Sequence, residues 1–321
     1  MRAAVHTRYG PPSVVRIQDV DPPSAGPDDL LIKVHATTVN RTDCAYRAGK
    51  PVPLRVVYGL GRPRATILGN EFAGQVVAVG RGVTRFALRD RVFGYNEGRF
   101  GAHAEYLVMP QDGPLATIPA GVDYQQAAPG IEGSHYALSV IRAATVRPGQ
   151  DALVNGATGG IGSAAVQLIK ALGATVTGVC DAEHLEVVRG LGADHVIDYT
   201  TADFTKDGRT YDVVIDAVGK SSFGACKSIL RDRGSYLSSE LGPFWQNPLL
   251  ALVTPLLRGR KVLFPIPRQN QEIVEYVKGL MQAGTFRPLI DRHYRLDEIV
   301  EAYRYVDSGQ KIGNVVIDVA R

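Results

Sequence analysis

Two domains of the α/β class are predicted by the sequence, the first β-rich and the second built on a doubly wound parallel sheet. Three observations carry that expectation. At 321 residues the chain exceeds what one hydrophobic core usually organises. Its periodicity changes near residues 120–130, from short strands divided by Pro and Gly turns to strands alternating with helices. Within the second part, the apolar run Ala152-Leu-Val154 turns through glycines into a helix-period segment that reaches Lys170.

Composition narrows the class. The 36 basic and 32 acidic residues are spread along the chain, so the net charge of +4 describes a mixed solvated surface with no stripe for nucleic acid. Cys44, Cys180 and Cys226 are far apart and odd in number, which argues against a disulfide framework or a Cys-x-x-Cys metal site and for a reducing cytoplasm. The longest greasy stretch, Leu249 to Leu257, is broken by Thr254 and Pro255, and the first residues hold no apolar core of signal length. Neither export nor a membrane span is expected.

In the first part, Leu30 to His35, Gly74 to Val79, Asp90 to Phe93 and Ala104 to Val108 read as strands, because β-branched and aromatic residues alternate between turn residues. Ala152 to Val154 then reads as a buried parallel strand, and Ile161, Ala164, Ala165, Leu168 and Leu172 mark one helical face closed by Gly173. Thr175 to Cys180 is the next strand and His184 to Leu191 a helix stopped by Gly192. Strands recur at His195 to Tyr199, Tyr211 to Asp216, Gly234 to Ser238 and Lys261 to Phe264, with room for crossovers between them. Gln271 to Ala283 is a helix; Leu296, Ile299, Val300, Tyr303 and Val306 form a second helical stripe before the strand Asn314 to Val319.

Repeated strand-helix-strand units place ligands at the carboxyl ends of the strands. The glycine turn, running through Gly156, Thr158, Gly159, Gly160, Ile161 and Gly162, is therefore the expected dinucleotide site. Gly156 and Gly159 permit a tight turn and backbone approach to a pyrophosphate, whose charge meets the N–H groups and dipole of the helix start; Gly162 lets the helix lie close to the strand. Val218 and Gly219, and Ser238 with Ser239, follow later strands at the same edge.

Taken together, Asn155-Gly-Ala-Thr-Gly-Gly-Ile-Gly162, Leu172-Gly-Ala174, Leu191 to Tyr199, and Leu68-Gly-Asn-Glu-Phe-Ala-Gly74 with Val79-Gly80 make the chain resemble a medium-chain dehydrogenase/reductase. It is similar to the zinc-independent quinone oxidoreductase branch. The resemblance implies a GroES-like catalytic domain at 1–122 and 285–321, a Rossmann domain at 123–284, a chain end that returns to the first domain, and a homodimer. It also implies that Lys311 and Asn314 close over the cofactor.

Zinc alcohol dehydrogenases of that superfamily carry a Cys and a His where this chain has Asn40, in Asn40-Arg-Thr-Asp43, and Asn70, in Gly69-Asn-Glu71. Zinc prefers thiolate, imidazole and carboxylate donors, and a catalytic site needs about three of them, so no zinc is expected. By resemblance Asn40 lies near the nicotinamide and acceptor and Asp43 orients its loop, both in polar positioning roles. Tyr46, Tyr58 and Tyr95 are phenols on polar or Gly-rich loops that can donate a proton, although such tyrosines are more often packing residues. His135 stands where similar reductases often carry a Thr; it reads either as a donor titrating near neutral pH or, the commoner case, as a hydrogen-bonded structural histidine.

Cofactor type turns on the end of the second Rossmann strand, Cys180-Asp-Ala-Glu-His184, where an acid binds a ribose hydroxyl and a base accommodates a phosphate. No Lys or Arg lies between Lys170 and Arg189, so Asp181 and Glu183 lean the expectation toward NADH, while Tyr199, His184 or Lys311 can supply contacts to NADPH, which related reductases often use. Without a Lewis acid, a quinone or enone is the cheaper hydride acceptor, because its charge delocalises. The expected function is thus a zinc-independent NAD(P)H-dependent reductase of quinones or other α,β-unsaturated carbonyls. A secondary-alcohol or enoyl-thioester reductase, and a non-catalytic dinucleotide-binding redox sensor, stand as alternatives.

Overall fold

The computed structural model describes residues 1–267 and 270–319, so the last two residues of the expected segment 285–321 lie outside the described residues. In chain order the elements begin with β1 (Arg2–Val5), β2 (Arg16–Asp19), β3 (Asp29–Val39), α1 (Arg41–Ala48), α2 (Arg55–Tyr58), β4 (Glu71–Val79), β5 (Arg91–Tyr95), β6 (Tyr106–Pro110), β7 (Leu115–Thr117), α3 (Tyr124–Ala127) and α4 (Glu132–Ala144). There follow β8 (Asp151–Asn155), α5 (Gly160–Ala171), β9 (Thr175–Cys180), α6 (Leu185–Gly190), β10 (His195–Asp198), β11 (Tyr211–Asp216), α7 (Phe223–Cys226), β12 (Leu230–Ser238), α8 (Gln246–Val253) and β13 (Lys261–Leu263). The chain closes with α9 (Gln271–Gln282), β14 (Ile290–Arg295), α10 (Ile299–Asp307) and β15 (Asn314–Asp318).

Two compact units divide these elements: Met1–Ile131 with Gln269–Arg321, and Glu132–Arg268. The first is the GroES-like unit. Its sheet runs β14-β15-β3-β4-β5-β7, with β6 also paired to β3, and β15 lies antiparallel to β3, so the end of the chain completes the sheet that the beginning starts. Residues 123–131 and α9 fall in this unit, where the sequence had placed them in the second. Side chains explain α9: Lys278 Nζ donates to Thr117 Oγ1 at 2.8 Å and Gln271 Nε2 to the Leu115 carbonyl at 3.3 Å, both on β7. One face of α10 buries Ile299, Ala302, Tyr303 and Val306 against Leu30, Ile32, Phe72 and Leu107, each worth about 1.5–3 kcal/mol where a large side chain leaves water.

The second unit is a Rossmann sheet in the order β10-β9-β8-β11-β12-β13. All its pairings are parallel, and Val154 on β8 lies opposite both Gly178 and Ile215. The chain therefore reverses its winding direction between β8 and β11, where a doubly wound sheet opens a crevice at its strand ends. The helical stripe of α5 is broader than the sequence spacing showed: Val166 and Ile169 are buried beside Ala164, Ala165 and Leu168, whereas Leu172 at the helix end is exposed. Other spans shift as well. The strand expected at Ala104 to Val108 runs from Tyr106 to Pro110, and the helix expected from His184 begins with a tight turn over Ala182–His184.

At the β11 end of the sheet, one carboxylate organises the chain. Asp216 is wholly buried. Its Oδ1 accepts Nδ2 of Asn155 at 3.1 Å and the N–H groups of Val218 and Lys220, both at 3.3 Å; Oδ2 accepts the Ser221 N–H at 2.8 Å and the Tyr236 hydroxyl at 3.2 Å. Substituting Asp216→Asn turns one accepting oxygen into an NH2 group facing donors. The second unit should lose about 3 kcal/mol of stability, read by denaturant unfolding; a loss under about 1 kcal/mol would show that these bonds do not hold the turn.

Candidate functional site

In the Rossmann unit the candidate site is the turn from β8 into α5. Gly156 adopts φ 79°, and a Cβ there would meet Val218 Cγ1 at 2.3 Å. A Cβ on Gly162 would lie 2.0 Å from the Gly156 carbonyl oxygen, so this glycine sets how close the helix comes to the turn. Gly159 differs: its φ is −69°, and a Cβ would find only the Gly156 oxygen, at 3.5 Å. Protein packing thus demands Gly156 and Gly162 but not Gly159. Gly159 is the N-cap of α5 and has no side chain, so no side-chain cap occupies the helix start, the geometry that a pyrophosphate requires. The residues present fit a dinucleotide at this turn.

The remaining expected contacts lie along the same strand ends. Cys180 is buried, and burial pushes its thiol up to about 11, which keeps it protonated near neutral pH. Asp181 follows it and accepts the ring Nδ1–H of His184, the two forming a local pair. Tyr199 is exposed, with its N–H on the Cys180 carbonyl at 3.0 Å. Gly219 adopts φ 64°, and buried Ser238 accepts the Glu240 N–H through Oγ at 3.2 Å. His135 lies in the first turn of α4; burial lowers its pKa to about 4, partly offset by a bond at Glu132, and its ring meets Tyr136 edge-on. Desolvation thus favours its neutral form.

In the GroES-like unit, β3 delivers Asn40 to the start of α1. Asn40 Oδ1 accepts the Asp43 N–H at 2.9 Å, and Asp43 Oδ2 accepts the Asn40 N–H at 3.1 Å, a reciprocal capping box. Asp43 Oδ1 takes the Gly69 N–H at 3.0 Å, which ties the helix start to the loop before β4. That bond brings Asn70 beside Asn40, whose Nδ2 donates to Asn70 Oδ1 at 2.6 Å. Burial raises Asp43 to about 8 against the two N–H donors, and the charges of Glu71 and Glu97 add to the rise. Behind it His103 donates through Nε2 to the Thr38 carbonyl at 2.7 Å, and burial lowers its pKa to about 4.

Tyr46 stacks on Tyr58 with ring centroids 3.7 Å apart and meets Phe100 edge-on. Burial, then the neighbouring Tyr58, raises the pKa of Tyr46, so it stays protonated throughout the working range. Tyr95 is buried and donates to Glu97 Oε2 at 2.7 Å. Lys311 donates to the Gly313 carbonyl at 2.6 Å, and Asn314 to the Leu289 carbonyl at 2.9 Å, so both have partners at the start of β15.

Comparison with known proteins agrees with this architecture. Residues 26–120 match the alcohol dehydrogenase GroES-like domain and residues 191–317 the zinc-binding dehydrogenase family. The chain is 30% identical to a quinone oxidoreductase of Pseudomonas aeruginosa, over 96% of this chain and 97% of that protein. The chain belongs to the medium-chain dehydrogenase/reductase superfamily, in its quinone oxidoreductase branch. A 2-haloacrylate reductase of a Burkholderia species is also 30% identical, covering 99% of this chain and 98% of its own. The solved quinone oxidoreductase of Coxiella burnetii superposes with a TM-score of 0.88 at 27% identity, covering 100% of this chain and 99% of that one. This medium-chain reductase is therefore an oxidoreductase enzyme.

A metal fits its residues poorly. The two Asn amides are bonded to each other, and both oxygens of Glu71 are engaged, Oε2 by Thr38 at 2.8 Å and Oε1 by the Ile131 N–H at 3.0 Å. Among the described residues no group of three or more His, Cys, Asp or Glu is placed to hold a metal ion. Sequence reading had Asn40, Asp43 and Asn70 in hand but not their mutual bonds; the spacing Asn40-x-x-Asp43 is the capping signal that would have found α1.

The glycine contrast gives a paired test. Gly162→Ala forces the helix off the turn and should cost both stability and dinucleotide binding. Gly159→Ala should leave the unfolding midpoint nearly unchanged yet weaken NAD(P)H binding by about tenfold, equal to ~1.4 kcal/mol, in a fluorescence titration. Equal binding by Gly159→Ala and the wild type would mean that no ligand uses the α5 start.

Proposed function

We propose that this enzyme transfers hydride from NAD(P)H to a quinone or another α,β-unsaturated carbonyl without zinc. The observation that carries the reading is the Asn40–Asn70 amide pair, which puts neutral hydrogen-bond donors where a Lewis acid would need anionic or imidazole ligands. Bound NAD(P)H supplies a hydride and its electron pair. The protein's own part is to orient the dinucleotide at the α5 start and to offer N–H groups to an acceptor oxygen. Neutral donors suffice when the developing charge is spread over a conjugated system. Reduction of a saturated ketone concentrates that charge on one oxygen, and so the alcohol-dehydrogenase alternative has less support. The names of the Pseudomonas and Burkholderia relatives, a quinone oxidoreductase and a 2-haloacrylate reductase, point the same way.

For the nucleotide, Asp181 after β9 supports NADH, since a carboxylate accepts from a ribose hydroxyl and repels a phosphate; its bond to His184 tempers that repulsion. Free, buried cysteines support a reducing compartment such as the cytoplasm. Among the described residues no helix is long and apolar enough to cross a membrane.

A homodimer is part of the same reading. Strand β13 has β12 as its sheet neighbour and forms the end of the order, and the segment packed beside it leaves Phe244 99%, Leu252 73% and Leu256 83% exposed. An unpaired edge beside an apolar surface is the feature that a second copy would cover.

Two measurements test these proposals. NAD(P)H oxidation should proceed with a panel of enones and quinones and keep its rate within about twofold after exhaustive chelation. Stoichiometric, tightly held zinc would overturn the metal-free reading, and a tenfold or greater preference for NADPH, near ~1.4 kcal/mol, would overturn the lean to NADH. In sedimentation velocity the wild type should run as a dimer, and Leu252→Arg with Leu256→Arg as a monomer; a monomeric wild type would remove the interface.

A further inference from the structure

The hydrogen bonds around Asn40 leave one atom over. Asn40 Oδ1 accepts the Asp43 N–H, so the opposite corner of its amide must be the nitrogen that donates to Asn70. That bond fixes the Asn70 amide in turn: its oxygen faces Asn40, and Nδ2 is the atom left over. Its surroundings are otherwise satisfied. Both Asp43 oxygens take backbone N–H groups, both Glu71 oxygens are engaged, and His103 uses Nε2 on Thr38 and Nδ1 toward the Tyr303 hydroxyl at 3.3 Å. Asn70 Nδ2 has no partner among the described residues although Asn70 is 0% exposed. A buried amide donor left unpaired costs about 1–3 kcal/mol, and such a group calls for a ligand or water to complete it. Asn40 spends one of its two Nδ2 hydrogens on Asn70 and retains 7% exposure, so the amide pair lies one side chain below the surface.

The complement of two adjacent N–H donors is an oxygen that only accepts. We propose that Asn70 is a catalytic residue whose Nδ2–H donates to the carbonyl oxygen of the acceptor, with Asn40 sharing that oxygen. The proposal rests on the reductase reading above. With an enone, the hydride pair forms a C–H bond at the β-carbon, the carbon–carbon π pair moves between the α-carbon and the carbonyl carbon, and the carbonyl π pair becomes the enolate oxygen's charge. The oxidised dinucleotide is released and a solvent proton adds at the α-carbon. With a quinone, the same hydride gives a hydroquinone monoanion, which takes its proton from solvent. The enolate gathers more charge on one oxygen than the aromatic monoanion does, so it depends more on the amide donors.

Asn70→Leu removes the donor at similar volume. With cyclohexenone its kcat should fall by about a hundredfold, as for loss of one oxyanion donor, with para-benzoquinone by less than about tenfold, and the dinucleotide affinity should hold within about twofold. A residue that merely braced the fold would lower both acceptors alike. Equal losses with the two acceptors, or an unchanged rate with cyclohexenone, would overturn the proposal. Should Asn70→Leu not fold, the wild type answers the question. In the isotope-labelled full chain with oxidised dinucleotide, the side-chain NH2 resonances of Asn70 should move when cyclohexanone is added, and resonances that stay fixed at saturation would overturn the assignment. A wild type that reduces neither acceptor sinks the reductase reading and this inference with it; a wild type that reduces both while Asn70→Leu does the same sinks this inference alone.

Discussion

The approach of α5 to the carbonyl of Gly156 is the constraint on which the dinucleotide half depends. Because a Cβ on Gly162 would stand 2.0 Å from that oxygen, the helix can begin directly over the end of β8 and present its N-terminal N–H groups at the sheet edge. β8 is the interior strand from which the order diverges toward β9 on one side and β11 on the other, so the helix start falls at the point where the winding reverses. Asp216 secures the neighbouring turn on β11 by gathering the donors that a tight reversal leaves behind, Val218 and Ser221 among them. The glycine turn and the carboxylate are thus two solutions to one problem, the exposure of unpaired backbone groups at strand ends. One leaves the helix start without a side-chain cap; the other consumes the donors.

In the GroES-like unit the corresponding constraint is the capping box at α1. Capping requires Asn40 to turn its oxygen toward Asp43, and that requirement propagates through the Asn40–Asn70 bond to decide which atom of Asn70 remains. Asp43 is drawn in twice, once by the helix start and once by the Gly69 N–H. Loop, helix and strand β4 are locked together by a few hydrogen bonds.

Local features were legible in the sequence and long-range ones were not. Strand β9 and strand β11 occupy the residues that alternation indicated, and the glycine turn announced itself through spacing, since each depends on neighbours in the chain. Leu172 and the placement of α9 misled because their fates are set at a distance: Leu172 ends its helix in solvent, and α9 goes where β7 offers Thr117 and the Leu115 carbonyl. Asn40 and Asn70 were identified as positions, yet thirty residues of chain separate them, and no pattern shows that their amides meet or which atom is left free. His135 likewise needed its burial before its charge state could be read.

Donor strength and substrate class are coupled in such a site. A zinc ion stabilises a charge concentrated on one oxygen and so serves saturated carbonyls; an amide N–H carries only a partial charge and does best when the substrate spreads the charge itself. Replacing metal ligands by amides therefore does not merely weaken a general site. It shifts the relative barriers of different acceptors, lowering the advantage of ketones more than that of quinones and enones. The amides have a second consequence. They do not titrate, whereas a thiolate and an imidazole at the same positions would lose metal as they gained protons. Asp43, raised to about 8 by burial, and His103, lowered to about 4, are buried and engaged with backbone partners, so a pH dependence of the capping box enters through the Asp43 carboxyl and not through the amides.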